Sequence, residues 1–215
     1  MKPSSKIRVA MCGPSGTGKT TLAERLANDL QVPFRSSSTK VLWREFGIKS
    51  HKDIIKRTND DPEGFGYEFQ LAVINHRRPI FMDPGNFITD RSPIDGIAYA
   101  MKGLAPYISE QKMQRLINEY NNLLHNVTVF YLPYGDWVIL ENDGMRVNSG
   151  YYQYNTNALV EQTIERWVHP YHKGKIFTLD FWHFDKRVLA SKAFIEQSQY
   201  PYAARLHRWL GRQYN

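Results

Sequence analysis

Only one cysteine, Cys12, occurs in the 215 residues, so no intramolecular disulfide can form. The fold must rest on a buried core, which a chain of this length is large enough to build. One thiol suits a reducing compartment, and its place between a strand and a glycine-rich loop reads as packing rather than redox chemistry. No apolar run approaches the ~18 residues of a membrane span, and Met1-Lys2-Pro3-Ser4-Ser5-Lys6 lacks the apolar stretch of a secretory leader. The expectation is a cytoplasmic protein with no membrane partner. No Cys/His spacing suggests zinc, and the seven histidines are scattered. Internal repeats, low-complexity blocks and Gly/Ser linkers are also missing, which leaves one main unit over 1–198 and a short tail at 199–215. Acid is in deficit: 21 Asp and Glu against 28 Lys and Arg leave a net charge of +7. That balance favours anionic partners, and charge alone does not separate a mononucleotide from DNA.

What is present begins with Gly13-Pro14-Ser15-Gly16-Thr17-Gly18-Lys19-Thr20, which spells G-x-x-x-x-G-K-T. Residues 6–12 before it read as a strand, and Leu22, Leu26 and Leu30 after it recur at helical spacing. Strand, glycine loop and helix in this order make a cradle for ATP or GTP. Loop amides turn inward around phosphate, the helix N-terminus adds its positive end, Lys19 reaches the β/γ oxygens and Thr20 offers a hydroxyl to Mg²⁺. The cofactor-binding set is thus Gly13, Ser15, Gly16, Thr17, Gly18, Lys19 and Thr20.

Further strands are expected at 32–35, 87–89, 127–132 and 175–179. Helices are expected near 40–46, 51–57, 62–76, after Pro93, at 109–125, at 155–168 and from 185. Alternating strands and helices imply an α/β fold, a parallel sheet wound on both faces, with ligands gathered at the carboxyl ends of the strands.

Asp90 ends the Phe87-Ile88-Thr89 strand, where such a sheet delivers a carboxylate beside Mg²⁺ and the terminal phosphate, and Arg91 follows it. Phosphoryl transfer needs mainly positioning and charge neutralisation, so a carboxylate and an arginine there are the expected tools. The alternative is a local helix cap. Asp83, before Pro84-Gly85, reads as a turn residue. Arg35, Ser36, Ser37 and Ser38 are placed to line the acceptor side. Tyr67, Phe69 and Gln70 either meet a base or, for the aromatics, form core with Phe65 and Val73. Arg146, in the polar excursion 134–154, is either a basic residue on a lid or an exposed loop residue. Arg205, Arg208 and Arg212 on the tail flank an aromatic stripe, which reads as a docked helix or as a phosphate-tracking surface.

With Gly13–Thr20, Thr89-Asp90-Arg91-Ser92-Pro93-Ile94-Asp95 and Asp143-Gly144-Met145-Arg146 in view, the chain resembles the P-loop nucleoside and nucleotide kinases. The likeness is to their ribosylnicotinamide-kinase-like and thymidylate-kinase-like branch, over roughly 6–190. The resemblance implies a three-layer fold with a five-stranded parallel sheet and a lid, ATP and Mg²⁺ as cofactors, and a nucleotide-type acceptor. It makes Asp90-Arg91 the pair that serves metal, acceptor and migrating phosphate, and Arg146 a lid arginine. The segment after the second expected strand lacks the carboxylate that deoxynucleoside kinases use as base, which shifts any base role to Asp90. Other readings are a kinase acting on a modified base such as 5-hydroxymethyluracil within DNA, and a nucleotide switch or DNA-associated ATPase.

Overall fold

The computed structural model describes residues 6–136, 138 and 149–198. Four parallel strands, β1 (Arg8–Cys12), β2 (Phe87–Thr89), β3 (Thr128–Tyr131) and β4 (Ile176–Thr178), form one sheet in the order β2-β1-β3-β4. Val9 pairs with Ile88 on one side and Thr128 on the other, which sets β1 in the centre.

The strand expected at 32–35 is reduced to a single parallel bridge, Phe34 to Ile88. Ile88 N–H donates to Pro33 O and Arg35 N–H donates to Ile88 O. Pro33 has no N–H to extend the ladder, and past Arg35 the chain leaves the sheet edge so that Ser37 N–H meets Asp90 instead. The described sheet therefore has four strands where five were expected.

Nine helices surround it among the described residues: α1 (Lys19–Leu30), α2 (Lys40–Glu45), α3 (His51–Asp60), α4 (Tyr67–Met82), α5 (Pro93–Leu104), α6 (Glu110–Leu123), α7 (Gly150–Arg166), α8 (Pro170–Lys173) and α9 (Phe184–Ser198). The period of two in the strands decides which helices pack where. Ala10 and Cys12 of β1, with Val129 and Tyr131 of β3, join the core under α4, α5 and α6. Val9, Met11 and Phe130 face the opposite way, toward α1 and α9. The result is three layers, as an α/β fold requires. None of these helices is long and apolar enough to cross a membrane.

Two boundaries differ from the sequence reading. A π turn over Pro62–Gly66, capped by Asp61 accepting from Gly64 and Phe65 N–H, precedes α4, which then runs on to Met82 past Pro79. Ser149 caps α7 by accepting from Tyr152 N–H, so that helix starts several residues earlier than its apolar pattern indicated. The aromatic alternative also resolves. Phe69 is buried, stacks on Phe65 at 5.9 Å and meets Phe46 edge-on at 5.4 Å, so these rings are core.

Gly96 lets α5 and α6 close against each other, since a Cβ there would stand 2.3 Å from the Tyr120 ring. The Gly96→Ala substitution is therefore expected to destabilise the chain by about 1–3 kcal/mol through overpacking. Thermal melts should show a midpoint lowered by roughly 2–4 °C per kcal/mol. An unchanged midpoint contradicts this packing.

Candidate active site

The loop between β1 and α1 needs its glycines for conformation and for space. Gly13, Gly16 and Gly18 hold φ of 135°, 84° and 83°, values that disfavour any side chain. A Cβ on Gly13 would also come within 2.2 Å of the Leu132 carbonyl oxygen, at the end of β3.

Asp95, on the first turn of α5, anchors the start of this loop. Its Oδ1 accepts from Gly13 N–H at 3.0 Å and from Cys12 Sγ at 3.2 Å. Its Oδ2 accepts from Ser92 N–H at 3.2 Å, while Ser92 Oγ accepts from Ile94 N–H, a reciprocal cap on the helix. Burial and the Asp95 carboxylate push the Cys12 thiol well above its ordinary pKa, so it stays a neutral packing group.

Asp90 anchors the other end. Thr20 Oγ1 donates to Asp90 Oδ2 at 3.1 Å, and Ser37 N–H donates to Asp90 Oδ1 at the same distance. Thr89 Oγ1 steadies the junction by donating to Ser37 Oγ at 2.9 Å. One carboxylate, itself buried, thus stands between the glycine loop and the segment expected to face an acceptor. Thr20 and Asp90 are two hard oxygen donors side by side. They fit Mg²⁺, which takes one or two protein oxygens and completes its shell with water and phosphate.

Lys19 is buried and its ammonium donates to Pro14 O. Burial, with the neighbouring Arg91 guanidinium adding to it, pushes its pKa down to about 7, against opposition from Asp95 and Asp90. Arg91 is half-buried and belongs to the same charge cluster. Gln70 accepts from Tyr120 OH at 2.7 Å, and Tyr120 lies beside Arg77. These contacts connect Gln70 to the cluster indirectly.

The remaining expected residues lie elsewhere. Arg35 forms a 2.6 Å ion pair with Asp83, whose Oδ1 also accepts from Gly85 N–H, so Asp83 is a turn residue and Arg35 points to it rather than to Asp90. Ser36 is exposed. Arg146, Arg205, Arg208 and Arg212 lie outside the described residues.

Three residues that the sequence did not place here reach this site, Arg77 among them, which with His76 and Arg78 reads in sequence as an extension of a phosphate-tracking surface. Arg77 on α4 is buried and donates to Ser92 O at 3.0 Å. Gln153 on α7 accepts from Ser15 N–H through Oε1 at 3.2 Å. Arg187 on α9 donates to Thr17 O at 2.7 Å and also to Phe181 O. Each is a polar side chain on a helix whose apolar pattern is visible in sequence, but its distant partner is not.

The family described as "AAA domain" matches residues 8–176, and no curated protein sequence matches the chain. Among solved structures, a deoxyadenosine kinase from M. mycoides superposes with a TM-score of 0.61 at 13% identity, covering 89% of this chain and 100% of that one. A shikimate kinase from Acinetobacter baumannii gives 0.53 at 16% identity, over 92% and 97%. A NadR protein in complex with NAD and AMP-PNP gives 0.56 at 17% identity, with 89% of this chain covering 49% of that one. At these identities the likeness establishes the fold of P-loop kinases.

The depressed pKa of Lys19 carries a linkage with a definite sign. Between pH 7 and 10 the folded chain holds this lysine increasingly neutral, whereas an unfolded chain keeps it protonated. Its contribution to stability therefore rises with pH across that window. A bound triphosphate favours the cation, so binding near pH 8.5 is expected to take up about one proton and to weaken as pH rises. Calorimetry in buffers of different ionisation enthalpy measures this uptake. Its absence, or its survival in Lys19→Met, contradicts the assignment.

Proposed function

The chain belongs to the AAA-domain family, and from that premise we propose that it is a Mg²⁺- and ATP-dependent phosphotransferase moving the γ-phosphoryl group to a nucleoside- or nucleotide-type acceptor. The observation that carries this reading is Asp90, whose two oxygens are shared between Thr20 of the glycine loop and Ser37 of the opposite wall. A carboxylate in that place can steer both the phosphate donor and the incoming nucleophile.

In this mechanism the loop amides from Gly16 to Thr20, with Gly13, Gly16 and Gly18 giving the backbone its turns, cradle the triphosphate, Ser15 N–H being taken by Gln153, and Lys19 grips its β/γ oxygens. When bound, Mg²⁺ neutralises charge on those oxygens, and Thr20 and Asp90 would hold it. The acceptor oxygen attacks the γ-phosphorus, the bond to the bridging β/γ oxygen breaks, and ADP leaves. For a hydroxyl acceptor, Asp90 is the group that receives the proton. A phosphate acceptor arrives ionised and needs no base.

Arg91, beside Lys19, neutralises the migrating group, and Arg146 is given the same role from the sequence resemblance. Ser37 and Gln70 face the acceptor. Arg35 and Ser36 take a lesser part, because Arg35 is engaged by Asp83. Structures of a deoxyadenosine kinase and of NadR, with the same fold, contain deoxynucleotides and nicotinamide nucleotides, which supports a nucleotide-type acceptor. No observation among the described residues favours DNA as the acceptor.

Incubation with γ-labelled ATP and a panel of nucleosides and nucleotides is expected to place label on at least one acceptor and to leave the chain nearly idle without one. Free phosphate accumulating with no labelled acceptor contradicts a kinase and favours an ATPase. Asp90→Asn keeps the shape but removes the charge, and should lower kcat by roughly 10²–10³-fold with a smaller change in KM for ATP. Activity of Asp90→Asn close to that of the unaltered chain removes Asp90 from the mechanism.

A further inference from the structure

The peptide unit joining Pro14 to Ser15 is held on both of its polar atoms. Its carbonyl oxygen accepts from the Lys19 ammonium and, at 3.0 Å, from Thr17 Oγ1. Its N–H donates to Gln153 Oε1 at 3.2 Å, across 138 residues of sequence. A peptide plane is rigid, so a grip on its N–H also fixes where its carbonyl points. That carbonyl is the seat of the lysine.

Gln153 is 2% exposed, and the helix that carries it is placed by contacts independent of the loop. Tyr131 OH, at the end of β3, shares its one proton between Asn157 Oδ1 at 2.7 Å and Glu161 Oε1 at 3.0 Å. Lys102 of α5 lies over the Tyr152 ring at 3.5 Å. With α7 anchored to β3 and α5, the Gln153 carboxamide has a fixed base from which to hold the loop. A buried carboxamide costs stability unless its polar atoms are bonded, and here Oε1 is bonded to an amide of the glycine loop.

We infer that Gln153 is a positioning residue that sets the Lys19 ammonium against a bound triphosphate by fixing the Pro14–Ser15 peptide, which makes α7 part of the phosphate grip. The role rests on the triphosphate cradle proposed above, and it requires neither a particular acceptor nor phosphoryl transfer itself.

A double-mutant cycle read as ATP affinity tests it, using titration calorimetry on the unaltered chain, Gln153→Leu, Lys19→Ala and the double variant. Gln153→Leu keeps the volume but offers no acceptor, and is expected to weaken ATP about tenfold, the order expected for one lost hydrogen bond on a charged network. If Gln153 acts through Lys19, the double variant binds ATP as Lys19→Ala does. A merely structural role for Gln153 would weaken ATP by the same factor with or without Lys19, and that additive result overturns the inference. Should Gln153→Leu fold poorly, Gln153→Asn, which draws the carboxamide back by one methylene, is expected to show the same coupled loss. ATP affinity unchanged in a folded variant of either kind overturns it.

Transfer assays on the same proteins separate the two readings. Coupled losses of ATP affinity in a chain that phosphorylates no acceptor sink the kinase and leave Gln153 its role. A working kinase with additive losses does the reverse, and an unaltered chain that fails to bind ATP overturns both.

Discussion

Two carboxylates five positions apart hold the glycine loop by its two ends. Asp95 takes the first amide of the loop and the thiol before it, and Asp90 takes the hydroxyl that closes it. Both come from the short run that ends β2 and starts α5. The strand ends at Thr89, Ser92 caps the helix and Pro93 opens it, so the chain reverses within a few residues and presents both carboxylates to one neighbour. Without that reversal the loop would keep its glycines and lose its frame.

The same run carries the electrostatics. Lys19 and Arg77 are both buried, and each lies within reach of Asp90 and Asp95. Buried cations are costly unless opposed, and here the opposing charges also fix the backbone. Burial still depresses Lys19, and Arg91 depresses it further, so the cluster carries a positive surplus that a polyanion relieves. On the proposed reading, charge that weakens the isolated fold is thereby available to a phosphate ligand, and binding and folding draw on one set of groups.

The pieces of the frame are legible in the sequence because each is patterned locally, although the bonds that join them are not. The glycine loop announces itself by pattern, the strands by β-branched runs, and the Asp90–Asp95 segment by a strand that meets Ser-Pro. The bridge at Phe34 shows the limit of such reading: its residues are extended and apolar, yet Pro33 and the demand of Asp90 for the Ser37 amide curtail the strand. Arg35 illustrates another limit, since a charge beside an expected cleft chose Asp83, a turn residue that precedes β2 in sequence. Gln153, Arg77 and Arg187 were hidden for a different reason. Each is a single polar residue on a helix, and spacing within the helix says nothing about a backbone group met only after folding.

The partners of the glycine loop lie far downstream. Gly13 meets Asp95 across 82 residues, Ser15 meets Gln153 across 138, and Thr17 meets Arg187 across 170. Synthesis therefore produces the loop before Asp95, Gln153 and Arg187, and its supports close on it only once those helices have been made. Closure over such separations is slow and entropically demanding, so the shape of the loop is settled late, by helices that arrive after the glycines themselves.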